Sequence, residues 1–252
     1  MSDLPKQPLM EHIIELRKRL MICFFAFFVA TAISYFFVAE IYRFLVQPLA
    51  DAFADGEHRR MIYTSLTEAF ITYLRLSVFA GFIASFPIIA SQLYFFLAPG
   101  LYAKERRAMV PYLVAAPALF FIGAAFVYYL IFPAAWRFFL GFESGGADGG
   151  LPIQLEAKVS DYLTLSMHLI MAFGLSFQLP VILSLLVKSG LLTVEKLKKG
   201  RRYAIVLIVA VAAVITPPDI FSQIALSVPL YCLYEMTILF CKNSKPREPD
   251  HA

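Results

Sequence analysis

Charge is scarce in this chain. Asp, Glu, Lys and Arg make up 16% of its 252 residues, against 60% hydrophobic, and that balance is too apolar for a soluble domain of this length. Cysteine is nearly absent. Cys23, Cys232 and Cys241 each fall in or at the end of an apolar run, with no metal-ligand spacing, and read as packing residues. There is no His-Glu-x-x-His, no Gly-x4-Gly-Lys-Ser/Thr nucleotide loop and no motif-level repeat, so nothing marks a metalloenzyme or a nucleotide-driven machine. No catalytic residue, metal or cofactor is expected. A net charge of +4 argues only weakly for nucleic acid, which is not expected as a partner.

What fills the chain is six long apolar stretches, 20–38, 70–97, 110–132, 162–187, 203–216 and 220–241. A hydrocarbon core of about 30 Å needs about 20 helical residues. Only helices satisfy their backbone groups within one such segment, and nothing alternates with the period of a barrel strand. The expected fold is therefore all-α, a polytopic membrane protein with six transmembrane helices. Residues 1–241 form one membrane domain, and 242–252 a disordered tail. The run at 20–38 is too long for a signal-peptide core and is read as a span.

The basic residues set the orientation. Sixteen of the 22 Lys and Arg, among them Lys6, Arg17, Lys18, Arg19, Lys104, Arg106, Arg107, Lys196, Lys198, Lys199, Arg201 and Arg202, fall on one side of the alternating spans. The positive-inside rule then puts both termini in the cytoplasm. On the opposite side lie the segments 40–67, with Pro48, and 133–161, with the flexible glycine patch 144–150, together with the turn Thr216-Pro217-Pro218-Asp219. The run at 203–216 is short for a bilayer, and the turn folds it against 220–241 in a tight hairpin. The run at 70–97 is long, and Pro87 predicts a kink. A long bent helix beside two short ones suggests a concave bundle. Beside the short pair, mutual shielding and local bilayer thinning remain equally good readings.

Two polar segments carry chemistry. In Glu11-His12-Ile13-Ile14-Glu15-Leu16-Arg17-Lys18-Arg19-Leu20 the apolar positions Leu9, Ile13, Leu16 and Leu20 have helical spacing, as in an amphipathic interfacial helix over 9–19. Glu15 stands four residues before Arg19, the spacing of an ordinary surface ion pair. The second segment, Ala98 to Arg107, sets Glu105 inside a basic loop.

Four segments together resemble one family. They are His12 to Leu20, Phe96-Leu97-Ala98-Pro99-Gly100-Leu101-Tyr102-Ala103-Lys104-Glu105-Arg106-Arg107, Phe173-Gly174-Leu175-Ser176-Phe177-Gln178-Leu179-Pro180, and Thr216 to Asp219. In that order they are similar to the signature segments of TatC, the signal-peptide receptor subunit of the twin-arginine protein translocase. The resemblance implies a non-enzymatic receptor that binds twin-arginine signal peptides of folded cargo on its cytoplasmic face, driven by the proton-motive force. It implies a signal-peptide site at Glu15 and Glu105, with Arg17, Leu20 and Phe96 in the same surface. It implies that the single-span proteins TatA and TatB dock at Thr216 and Gln223, with Gln178 as a further partner contact, and that the chain oligomerises within the complex. Pro48, Pro87 and Asp219 are read as structural. Gln178 departs from the glutamate the family often carries there, and an amide offers hydrogen bonds without titration. Membrane lipid is the remaining partner.

A secondary transporter of a small solute is the alternative. It would use ionisable groups at mid-membrane, for which His168 is the one candidate, since Arg75 and Glu235 lie toward helix ends. Ser166 and His168, two apart on one helix, point away from each other and make no nucleophile–base pair.

Overall fold

Why the apolar runs become helices, and where they stop, is visible in a computed structural model that describes residues 9–53, 60–97, 103–143, 151, 155–188, 191–215 and 220–243. Helix α1 is Leu9–Phe36 and α2 is Val38–Ala52; α3 is Glu68–Leu97 and α4 is Ala103–Phe126. A five-residue π turn, Val127–Ile131, leads into α5 (Phe132–Leu140). Then come α6 (Val159–Ser176), α7 (Leu179–Lys188), α8 (Val194–Lys199), α9 (Arg201–Ile215) and α10 (Ile220–Asn243). Among the described residues there is no strand beyond one isolated bridge, Ile62 with Lys158. Among the described residues, four stretches are long and apolar enough to span a bilayer: Met10–Phe36, Glu68–Phe96, Pro111–Leu140 and Val159–Lys188. Helix α9, at 15 residues, is about 22 Å long, as short as its sequence predicts. The chain is an all-α polytopic membrane protein.

Several boundaries differ from the sequence reading. The amphipathic segment at 9–19 and the first span form one unbroken helix, because nothing between Leu9 and Phe36 breaks it. The segment 40–67 opens with helix α2, which carries Pro48 in its interior. The third span runs on through the π turn to Leu140, where Pro133 cannot donate to the preceding turn and the Phe132 N–H reaches back to the Val127 carbonyl. The fourth span breaks at Phe177–Gln178. Helix α3 carries Pro87 in its interior, where the sequence places it. Thr216, Asp219, the 144–150 patch and the tail from 244 lie outside the described residues.

The chain divides into two compact units: residues 1–41 with 73–117, and residues 42–72 with 118–252. In the first, α1 and α3 run antiparallel. Their backbones come so close that a Cβ added to Gly81 would meet Thr31 at its side-chain oxygen, at Cα (2.6 Å) and at the backbone nitrogen (2.7 Å). Only glycine allows that approach.

In the second unit α2 is tied to the helices that follow it. Pro48 has no N–H to give to the Phe44 carbonyl one turn back, and the Tyr128 hydroxyl donates to that oxygen at 2.8 Å while its ring stacks on Phe44 at 4.3 Å. The Tyr162 hydroxyl donates to the neighbouring Leu45 carbonyl at 2.7 Å, in a buried bond, and its ring lies 5.0 Å from Trp136. Replacing Tyr162 by Phe removes that donor and keeps the ring. The expected result is a loss of about 1 kcal/mol, read as lower thermal stability of the detergent-solubilised protein, with Tyr162→Leu costing more because the aromatic packing goes too.

Two segments flanking these helices are sewn together by backbone and by one carboxylate. The Ile62 N–H donates to Ala157 O at 3.0 Å and the Val159 N–H to Ile62 O at 2.9 Å. Buried Glu68 accepts from the Thr64 N–H (2.8 Å), the Thr64 hydroxyl (3.1 Å) and the Ser160 N–H (3.4 Å), with the Lys158 ammonium 3.8 Å away. At the other end of this unit, Arg201 grips Glu235 through Nε and Nη2, both at 2.8 Å. The Tyr231 hydroxyl donates to the same carboxylate at 2.9 Å, and Tyr234 donates to Leu197 O at 2.7 Å. Glu235 is therefore held by a partner helix as well as placed near a helix end.

Candidate functional site

The polar end of the first unit is built where the start of α1 meets the end of α3. Twelve residues back along α1 from the Gly81 crossing (31 to 19) and eleven on along α3 (81 to 92), Arg19 Nη1 donates to Gln92 Oε1 at 3.4 Å. Its guanidinium lies 5.6 Å from the Phe95 ring centre. Farther out, seven residues back along α1 and four on along α3, the His12 ring stacks on Phe96 at 4.4 Å and 20°. Contacts that move toward the N-terminus of α1 as they move toward the C-terminus of α3 are what an antiparallel pair requires.

Glu15 accepts from Arg19 Nε at 2.9 Å and from Nη2, a forked contact from one guanidinium. Both side chains are 24% exposed, while Leu16, Arg17, Lys18 and Leu20 around them are exposed. The structure thus places Glu15, Arg17 and Leu20 on α1, with Phe96 reaching that helix at His12, one turn from Glu15. Glu105 falls in the first turn of α4, but its side chain lies outside the described residues. His12, Arg19, Gln92 and Phe95 were not chosen from sequence. Arg19 had its signal in the i, i+4 spacing, whereas Gln92 had none, since it is 73 residues away.

The other sequence candidates lie in the second unit. Gln178 is buried, and its position explains itself. Pro180 supplies no N–H, the helix tightens, and the Gln178 N–H bonds to Leu175 O (3.0 Å) instead of to Gly174. The Gln178 amide then reaches the freed Gly174 carbonyl at 3.4 Å. Gln223 donates from Nε2 to the Val209 carbonyl at 3.3 Å, linking α10 to α9. His168 is exposed while Ser166 is fully buried, so the two face different surroundings. Arg75 is exposed on α3.

Long apolar helices able to cross a bilayer, with a partly covered carboxylate–guanidinium pair and a His–Phe stack at the polar end of the first unit, define a polytopic membrane protein. Residues 11–229 match the family model described as TatC, Sec-independent protein translocase protein, and the chain belongs to that family. It is a component of protein transport and not an enzyme. It is 46% identical over 231 residues to the Sec-independent protein translocase protein TatC of Rickettsia prowazekii (strain Madrid E), covering 92% of this chain and 91% of that one. To the TatC of Escherichia coli (strain K12) it is 40% identical over 242 residues, 96% of this chain and 91% of that one. A solved structure described as the twin arginine translocase receptor TatC superposes with a TM-score of 0.79 at 33% identity, covering 92% of this chain and 99% of that one.

Proposed function

We propose that this chain is the receptor and core subunit of a twin-arginine translocase, binding consecutive-arginine signal peptides at the end of α1 and α3. The observation that carries the reading is the Glu15 carboxylate, forked by the Arg19 guanidinium, which itself lies over Phe95, with His12 stacked on Phe96 on the same two helices. A carboxylate holds a guanidinium by two parallel charge-assisted bonds, and the rings offer apolar contact to the rest of a signal peptide. Glu105, Arg17, Leu20 and Phe96 complete the proposed surface. In this reading the six apolar stretches all span a cell inner membrane, both termini are cytoplasmic, and the site faces the cytoplasm. The single-span partners TatA and TatB dock at Thr216 and Gln223. Gln178 contributes to a partner contact only where a neighbour exposes it. Pro48, Pro87 and Asp219 serve the architecture. The chain assembles with further copies of itself, and a proton-motive force drives transport. Exposed His168 weakens the solute-transporter alternative, which needs an enclosed ionisable group.

The test is photo-crosslinking from positions 15 and 105 to a signal peptide with paired arginines and to its paired-lysine version. Crosslinks to the arginine peptide that fall away with lysine are expected. No crosslink from a folded receptor overturns the reading. In the same assay Glu15→Gln is expected to weaken arginine-peptide binding about 10- to 100-fold, the worth of a charge-assisted contact.

A further inference from the structure

We propose that Arg19 is an internal competitor for the Glu15 carboxylate, holding the receptor's affinity for cationic peptides down so that a bound peptide can leave. The inference rests on the proposed role of Glu15. In the free chain that carboxylate is already occupied: Arg19 presents Nε at 2.9 Å and Nη2 beside it, the same fork a ligand arginine would offer. The pair is set apart from its surroundings. Both partners are three-quarters covered, and the side chains on the neighbouring turns are exposed. Arg19 is also held from α3, by Gln92 Oε1 at 3.4 Å and over Phe95 at 5.6 Å. It has a second resting place against Gln92 and Phe95 when Glu15 is taken.

The physics of such a competitor is specific. A ligand guanidinium replaces Arg19 like for like, so the number of bonds to Glu15 is conserved and the worth of the weaker internal contact is subtracted from what the ligand gains. The internal contact must be broken by every ligand that uses Glu15, so it lowers all their affinities by one common factor. It leaves the ratio between arginine and lysine peptides unchanged, because that ratio resides in the carboxylate, where an ammonium makes no fork. Arg19 thus sets affinity, and Glu15 sets selectivity.

The experiment measures binding of a fluorescent paired-arginine peptide, and of its paired-lysine version, to the purified full-length receptor in lipid nanodiscs. Arg19→Gln is expected to raise affinity for both peptides by about 2- to 5-fold, the range of a partly covered ion pair with two supporting contacts. Arg19→Lys keeps the charge but loses the fork, and is expected to give a smaller rise, so the order is wild type, Arg19→Lys, Arg19→Gln. Lys18→Gln removes one positive charge next door without freeing the carboxylate, and serves as the electrostatic control. A fall in affinity with Arg19→Gln in a monodisperse, folded receptor, or a rise no larger than that of Lys18→Gln, overturns the proposal. A peptide affinity that ignores Glu15→Gln in the wild-type background overturns the site itself. With the site intact, the rise must vanish when Arg19→Gln is combined with Glu15→Gln.

Discussion

Gly81→Val is expected to cost the protein about 3 kcal/mol or more and to abolish signal-peptide binding. The reason is the identity of the atoms in the way. A Cβ at position 81 would sit 2.6 Å from Thr31 Cα and 2.7 Å from its backbone nitrogen, and backbone inside a helix cannot step aside as a side chain can. The two helices must separate along their whole antiparallel contact. The separation reaches the Arg19–Gln92 bond and the His12–Phe96 stack, because α1 is a single rigid helix from Leu9 to Phe36. A substitution far from the proposed binding surface therefore acts on it. Trimming the partner is expected not to help: Thr31→Ala in the Gly81→Val background removes the hydroxyl and leaves both backbone clashes. Proteolysis and thermal unfolding in detergent, followed by peptide binding, check it. Full recovery in the double variant would show that the crossing is looser than these distances.

Gly174→Val is the counterpart in the second unit, and there rescue is expected. A Cβ at 174 would meet the Phe120 ring at 2.7, 2.9 and 3.0 Å, all side-chain atoms. Phe120 is fully buried, so the ring has nowhere to turn and the single variant is expected to lose about 1–3 kcal/mol. Phe120→Leu gives the space back, and the double variant is expected to be more stable than Gly174→Val alone. The Gly174 carbonyl also receives the Gln178 amide, so the strained variant opens the break between α6 and α7 as well. Thermal unfolding of the four proteins forms a double-mutant cycle, in which a coupling near zero contradicts the ring contact.

Much of the proposed site was legible because its parts are local. Glu15 and Arg19 are four apart on a helix that nothing interrupts, so their pairing follows from helical geometry alone. The break at 177–178 was not legible: 162–187 reads as one apolar span, and both the stop before Pro180 and the inward-turned amide that heals the ladder are seen only in the folded chain. Gln92 and Phe95 were not legible, since no pattern within α3 says which of its faces α1 will cover.

The sequence by itself determined that this protein lives in a membrane as helices. The apolar content of each run and the cost of unpaired backbone in hydrocarbon leave no other solution, and the short α9 is short because its apolar run is. Tertiary structure alone decided what those helices do with their spare polar groups. Pro48 announces a lost N–H. That Tyr128 donates to the freed Phe44 carbonyl, and Tyr162, 117 residues from Leu45, to the one beside it, depends on which helices meet. Glu235 likewise takes Arg201 from 34 residues away. Backbone hydrogen bonding is satisfied within a segment and so can be read from it. Side-chain partners and glycine crossings are settled between segments, where close packing selects one register among many that the same apolar surface would allow.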